Sequence, residues 1–243
     1  MSLFKILLFV QIGSFCLMAL GILGQKFQIL PFKMAFGGFI LAMALSLIVF
    51  VIGLIFTLLS FGKVADTGRA LGIVVTLCAF LPLVLVAVLA GKGFKKPRIH
   101  DISTNLENNI EFTKAFELRR DSENSLLLPE DRTVELQKQH YPDLKPMLVE
   151  MSPATAYENA LLVADELGWQ ITQKDKAKTT FEAVDETKIF GFRDDVVVRV
   201  RPFNSGSRID LRSVSRVGVS DLGANAARIE RFQQQFKDSF QNF

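Results

Sequence analysis

Cysteine is scarce in this chain of 243 residues, and its two cysteines, Cys16 and Cys78, both lie in strongly apolar segments. From residue 91 onwards the chain has none, which excludes a disulfide and a cysteine-based zinc site in that part. The two histidines, His100 and His140, occur without an HExxH pattern. The sequence therefore predicts no metal and no cofactor.

Charge is almost absent from the first 90 residues. The only charged residues there are Lys5, Lys26, Lys33, Lys63, Asp66 and Arg69. Three apolar runs lie between them, at about residues 3–23, 32–60 and 70–90. Since roughly 20 apolar residues are enough for a helix to cross a bilayer, we predict three transmembrane helices within residues 1–90 and a lipid bilayer as a partner.

No ionisable residue lies deep in any of the three runs, which argues against a transporter or a channel. Gly38, Ala42 and Ser46 recur every four residues along the second run, and small residues at this spacing allow helices to approach closely. The stripe serves packing within the chain or contact with another chain. A homo-oligomer and a membrane-protein partner therefore both stay open.

A basic excess is missing from the polar part. Residues 91–243 carry 23 Lys and Arg against 24 Asp and Glu. Nucleic acid binding requires a concentrated basic surface, which a nearly neutral domain lacks. We therefore expect no nucleic acid partner.

Signatures of catalysis are missing as well. The chain has neither a GxSxG nucleophile elbow nor a glycine loop that cradles phosphate. Asp194 and Asp195 are adjacent, and neighbouring residues of a strand point to opposite faces, so they cannot share one proton. The sequence predicts an ion pair near the end of a hairpin there, and no catalytic residue.

The polar part divides into three segments. Residues 91–98 are predicted to be a basic juxtamembrane linker, and residues 99–151 an extended segment that wraps the domain, with a short helix near residues 134–140. From residue 152 an α+β core begins and runs to residue 243. Ser152 and Pro153 are typical of a helix start, and Gly168 of its end.

Strands are predicted at residues 169–173 and 179–184, followed by a hairpin with alternating polarity and a turn at residues 204–206. Pairing Val200 with Ile209 places Arg199 opposite Asp210. One face of this sheet is apolar and the other is charged, so we expect it to be covered on one side only.

A last helix is predicted to start at Ser220 or Asp221 and to cover the apolar face with its own apolar stripe. The predicted fold class is α+β: a three-helix transmembrane anchor, then a small antiparallel-sheet domain with a long carboxy-terminal helix packed on the sheet, in a helix-grip-like arrangement.

Four stretches of the polar part resemble a family catalogued as domain of unknown function 1499. They are residues 97–104, 139–144, 190–199 and 213–225, the last followed by Arg228 and Ile229. The residues that stand out in these motifs are His100, Asp101, Tyr141, Pro142, Asp194, Asp195, Ser213 and Ser215. The resemblance covers about residues 97–236 and implies a bacterial envelope or plastid setting, with some members that look like lipoproteins.

The stretch 213–228 is the candidate ligand site. Its glycines permit tight turns, a helix amino terminus offers free N–H groups, and two arginines can bind an anion. The candidate residues are Arg216, Gly218, Asp221, Gly223, Asn225 and Arg228. A second interpretation makes the motif structural: Asp221 caps the helix, Arg216 pairs with Asp194 or Asp195, and Asn225 holds the loop.

These observations lead to the hypothesis of a non-enzymatic, multi-pass protein of the bacterial inner membrane whose domain binds a partner protein or an amphiphile. Its rivals are a membrane-bound enzyme or binding protein for an anionic substrate, and an assembly factor for a membrane complex. The distribution of Lys and Arg around the spans conflicts. The lipoprotein-like members of the resembled family favour the periplasm for the domain.

Overall fold

The computed structural model describes residues 3–59, 67–91 and 93–240. Residue 60 of the predicted second span, Lys92 of the predicted linker and residues 241–243 of the predicted core lie outside the described residues. Contacts divide the chain into two compact units. The first comprises residues 1–92 with residues 188–191, and the second comprises residues 93–187 and 192–243.

Three helices make up most of the first unit: α1 (Leu3–Lys26), α2 (Phe32–Leu59) and α3 (Thr67–Ala90). Each is long and apolar enough to cross a membrane. Their outer surfaces expose many large apolar side chains, as lipid-facing helices do. The prediction of a three-helix anchor is confirmed, with bounds within three residues of those expected.

Small and polar residues join α1 to α2. The Ser14 hydroxyl donates to the Ala42 carbonyl at 2.7 Å and lies 2.8 Å from the Ser46 hydroxyl, and Gln11 donates to Ser46 at 3.1 Å. Ala42 and Ser46 are fully buried by this packing. At these two positions the small-residue stripe is therefore used for packing within the chain.

The second unit contains a six-stranded antiparallel sheet, four α-helices and a short 3-10 helix at Gly93–Lys95 among its described residues. In chain order the strands and α-helices are β1 (Asp101–Ser103), α4 (Lys114–Leu118), α5 (Asp131–His140), β2 (Met147–Val149), α6 (Pro153–Glu166), β3 (Gln170–Asp175), β4 (Thr180–Glu186), β5 (Arg193–Phe203), β6 (Gly206–Ser215) and α7 (Ala224–Phe240). The spatial order is β1-β6-β5-β4-β3, and β2 also pairs with β6. With α7 packed on this sheet, the predicted α+β fold class is confirmed.

The β5–β6 hairpin has the predicted register, with Val200 opposite Ile209 and Arg199 opposite Asp210. Its turn places Asn204 at φ +51°, a conformation that asparagine tolerates better than most residues. The alternation of residue types fixes this register, because a shift by one residue would turn every valine to the opposite face.

One face of the sheet, here called the helix face, packs against α6 and α7. Val196, Val198 and Leu211 are fully buried there. Trp169 stacks on Phe232 of α7 with ring centroids 5.4 Å apart. Burial of these side chains is the main stabilising contribution of the domain.

The opposite face is also buried, so the expectation of a sheet covered on one side only is wrong. Residues 104–128, here called the covering segment, lie over this second face. Ile110, Phe112 and Leu126 of the segment pack on Val197 and Val214 of the sheet. The charged residues of this face can be buried because each forms an ion pair or a hydrogen bond within the chain, and these interactions replace hydrogen bonds to water.

The region predicted as extended chain adds two strands to the sheet. β1 pairs with residues 212–214 of β6, and β2 pairs with residues 207–209 of the same strand. The helix expected near residues 134–140 is α5, and α4 lies in the covering segment.

Candidate functional site

The candidate ligand site follows the end of β6. A loop of residues 216–223 joins this strand to α7, and three of its residues have positive φ: Gly218 at +87°, Leu222 at +54° and Gly223 at +88°. The Asn124 side chain donates to the carbonyls of Ser215 at 3.0 Å and Gly218 at 2.8 Å. The loop is thus held by the covering segment as well as by its own turns.

The amino terminus of α7 is occupied by Asp221. One carboxylate oxygen accepts from the Gly223 N–H at 2.8 Å, and the other accepts from the Asn225 N–H at 2.9 Å. Burial raises the pKa of the Asp221 carboxyl, the two N–H bonds oppose that rise, and the charge of Asp194 adds to it. The free N–H groups that an anion would need are therefore bound by an acid of the chain itself.

A buried cluster surrounds Arg228 on the helix face and is here called the Arg228 cluster. Arg228 pairs with Asp194 and, at 2.6 Å, with Asp185. It also donates to the Ser213 hydroxyl at 3.0 Å and to the Asn225 side-chain oxygen at 2.6 Å. Burial alone would lower the pKa of Arg228, but the two carboxylates outweigh it and raise that pKa.

Asn225 ties this cluster to the edge of the sheet. Its amide donates to the His100 carbonyl and to the Ser215 hydroxyl, each at 2.9 Å, while its oxygen accepts from the Ser213 hydroxyl at 2.6 Å. The His100 carbonyl also accepts from the Ser215 N–H. Every polar group that these bonds use is satisfied within the chain, as a buried network requires.

Arg216 lies in a separate cluster on the second face, here called the Asp195 cluster. It forms a two-pronged pair with Asp195 at 2.8 and 3.1 Å, and Arg119 contacts the same carboxylate at 2.7 Å. Burial lowers the pKa of Arg119 although Asp195 opposes this, and the nearby charge of Arg216 lowers it further. Sequence reasoning identified Arg216 and Asp195 but missed Arg119, which comes from the covering segment.

Asp194 and Asp195 therefore face opposite sides of β5, as predicted, and each belongs to its own cluster. Both lie at the start of β5, at the turn end of the β4–β5 hairpin, and each is ion-paired. The six candidate ligand residues do not converge on one pocket, because Arg216 and Arg228 are on different faces of the sheet.

Asp101 is used in the same way on the second face. Arg212, which is fully buried, forms a two-pronged pair with Asp101 at 2.7 and 3.1 Å. It also donates to the carbonyls of Ile110, Leu126 and Leu127 in the covering segment. No sequence signal marked Arg212 as the residue that fastens this segment.

Tyr141 lies beside the loop. The Lys96 ammonium sits 5.3 Å from the centre of its ring. Burial, followed by the negative charges of Asp221 and Glu230, raises the pKa of the Tyr141 phenol to about 12, so the phenol is neutral at physiological pH. Pro142 follows it immediately at the end of α5.

A cleft of about 210 Å³ lies elsewhere, between the covering segment and the β3–β4 end of the sheet. Its polar lining includes Glu111, Thr113, Gln173, Lys178, Thr180 and Arg199. Glu182 borders it, but its carboxylate is bound by the N–H groups that begin α4. The described residues contain no group of three or more His, Cys, Asp or Glu side chains that would hold a metal.

A family model described as "Protein of unknown function (DUF1499)" matches residues 101–236. The match takes in all six strands and most of α7, and begins after the three apolar helices. No curated protein matches the chain. Because the match spans more than half of the chain, the protein belongs to the DUF1499 family.

Proposed function

We propose that this member of the DUF1499 family is a non-enzymatic, membrane-anchored protein of the bacterial envelope whose domain binds a partner protein or an amphiphile. The observation that carries the proposal is that Arg216 and Arg228 are both bound by buried carboxylates of the same chain. A site for chemistry needs groups that can reach a substrate. The motif residues instead stabilise the fold through buried ion pairs and hydrogen bonds. A partner protein or an amphiphile therefore binds at the exposed surface.

The covering segment supplies an exposed apolar surface that fits this proposal. Four of its large side chains are exposed by 40% or more: Phe116, Leu118, Leu127 and Leu128. Leu127 is the most exposed of them, at 71%. Apolar side chains grouped on one segment favour an interaction surface more than single scattered ones do.

The test is extraction of the full-length protein in mild detergent after crosslinking in the cell, with mass spectrometry of the bound protein and lipid. A Leu127→Ser, Leu128→Ser variant should lose the crosslinked species. The matched control, Leu162→Ser on α6, removes a side chain that is 54% exposed and should keep that species. Recovery of a bare monomer under all conditions contradicts the proposal, as does an unchanged pattern in the double variant.

A second candidate function is binding of an anionic ligand, and one observation favours it. The Nε of Arg199, which lines the cleft, is buried without a hydrogen-bond partner among the described residues, whereas the other two nitrogens of this guanidinium bind Asn108 and Asp210. Inorganic phosphate should then bind to the wild type and not to Arg199→Gln in calorimetry. Equal heats for the two proteins remove this candidate.

For localisation, we place the protein in the bacterial inner membrane with its domain in the periplasm. Three spans put the amino terminus and the domain on opposite sides of the bilayer, and the lipoprotein-like members that the family resemblance implies favour an extracytoplasmic domain. Alkaline phosphatase fused after residue 243 should be active, because it folds only outside the cytoplasm. Fluorescence of green fluorescent protein at the same position, with an inactive phosphatase, contradicts this orientation.

A further inference from the structure

The loop before α7 contacts Gly93, the first residue of the second unit. α3 ends at Ala90, and Gly93 follows three residues later, a length of chain that spans at most about 11 Å. Gly93 packs directly on Leu222: a β-carbon added to Gly93 would come 2.6 Å from the Leu222 Cβ. The loop is therefore in direct contact with the segment that begins the second unit.

Three large apolar side chains are exposed in this place. Phe94 is 68% exposed, Val219 64% and Leu222 40%. Leu222 also has φ +54°, where a β-carbon is crowded and where glycine or asparagine is the usual residue. A leucine thus occupies a backbone conformation that is unfavourable for it. Its exposed side chain is also unfavourable, because it leaves apolar surface in contact with water.

The charge around these side chains is positive. Lys95, Lys96 and Arg98 are exposed. The nearest acid in sequence, Asp221, turns its carboxylate inward onto the Gly223 and Asn225 N–H groups. Exposed apolar side chains next to exposed basic residues match the chemistry of an anionic membrane surface, which attracts Lys and Arg and accepts apolar side chains at its boundary.

The loop is also held rigid before it meets any surface. Asn124 binds the Gly218 carbonyl at 2.8 Å, and the Asp221 N–H donates to the Ile99 carbonyl at 3.1 Å. Little conformational entropy is then lost when the loop binds, so even a few apolar side chains contribute.

We propose that Phe94, Lys95, Lys96, Val219 and Leu222, here called the juxtamembrane patch, dock onto the anionic lipid surface of the bilayer that holds α3. The three apolar side chains enter the interface and the two lysines bind headgroup phosphates. The patch acts in addition to the helical anchor, and it sets the orientation of the domain at the membrane surface. It does not depend on the proposed partner or amphiphile, because a domain with either function can rest on lipid.

The test uses the full-length chain with both native cysteines replaced by serine and one new cysteine, Val219→Cys, that carries an environment-sensitive fluorophore. The protein is placed in vesicles of phosphatidylethanolamine and phosphatidylglycerol that contain a nitroxide lipid. The control is the same label at Leu162→Cys, on α6. The proposal predicts strong quenching by the nitroxide at position 219 and none at 162. Equal quenching at the two positions overturns it.

Three further variants separate docking from folding. Lys95→Gln and Lys96→Gln should each lower the docking constant about fivefold, and vesicles of phosphatidylcholine alone should abolish docking. Leu222→Gly should keep the fold, because glycine accepts its φ, and should still weaken quenching at 219. Fluorescence of the single tryptophan, Trp169, checks folding. Quenching that is unchanged in all three variants or in neutral lipid overturns the proposal.

Discussion

Replacing Arg228 by methionine should destabilise the domain more than any comparable change to the candidate site. The guanidinium is buried and is the shared partner of Asp185 and Asp194. Its removal leaves two carboxylates beside an apolar side chain, with Asp194 only 3% exposed. Breaking a buried ion pair in this way costs about 3–5 kcal/mol, because the remaining charge has lost both water and partner.

Arg216→Met is the matched control within the same motif. Asp195 would still be bound by Arg119 at 2.7 Å, so its charge stays paired. The expected loss is smaller, about 1–3 kcal/mol, which corresponds to the lost charged hydrogen bonds. Arg231→Met, at an exposed position of α7, should change the free energy of unfolding by less than about 0.5 kcal/mol.

The assay is urea unfolding of the full-length protein in detergent micelles, followed by tryptophan fluorescence. Trp169 is the only tryptophan, is buried, and stacks on Phe232 of α7, so its emission reports the packing of that helix. Adding Asp194→Asn to Arg228→Met should restore about 0.5–3 kcal/mol, because it removes one of the stranded charges. A loss for Arg228→Met no greater than that for Arg216→Met would show that the carboxylates of Asp185 and Asp194 do not depend on Arg228.

Three other measurements follow from the structure. Gly21→Val should destabilise the helical anchor by about 1–3 kcal/mol, because a β-carbon at residue 21 would lie 2.6 Å from a backbone carbonyl of α2. Gly13→Val is the control, since residue 13 has open space around it and the substitution should have little effect on melting in detergent. Equal melting of the two variants contradicts this packing. In the folded protein neither tyrosine should ionise at the ordinary pKa of 10 when titrated by absorbance at 295 nm. Burial raises the pKa of Tyr141 to about 12 and also raises the pKa of Tyr157. One phenolate at pH 10 contradicts the prediction. Because burial raises the pKa of Asp221, the folded state keeps a proton on this carboxyl at pH values where the unfolded chain, with its ordinary pKa of 3.8, has released it. The free energy of unfolding of the wild type, relative to that of Asp221→Asn, should therefore fall as the pH rises from about 4. A difference that stays constant or rises with pH argues against the burial of this carboxyl.

Local patterns were enough to predict much of the fold. Twenty-residue apolar runs identify membrane helices because the bilayer sets their length. Alternating valines and arginines fixed the register of the β5–β6 hairpin, and the Ser152–Pro153 pair marked the start of α6, where the Ser152 side chain accepts from the Thr155 N–H. Each of these signals lies within a short stretch of chain.

The buried second face could not be predicted from such signals. Arg212 and Asp101 are 111 positions apart, and nothing near either residue indicates that they pair. An alternating charged residue on a strand is usually solvated, so Arg212 and Asp195 looked like surface residues. The covering segment that buries them has little periodicity and many turn-forming residues, which made it resemble a loose connection.

Individual contacts of the candidate site could be predicted from the sequence, but the arrangement of its two arginines could not. The helix cap by Asp221 and the pairing of Arg216 with Asp195 follow from residue types that favour these roles. Whether the two arginines face one pocket or two sides of a sheet depends on the strand register and on Arg119, a residue almost 100 positions upstream of Arg216. That arrangement is a property of the folded chain.

The most direct test of the account is a carbonate wash of membranes that contain the full-length protein. Alkaline carbonate strips peripheral proteins, whereas helices that span the bilayer stay in place. A protein anchored by three membrane helices remains in the pellet and enters solution only with detergent. Release of the intact chain into the supernatant would contradict the membrane anchor on which the function proposed here depends.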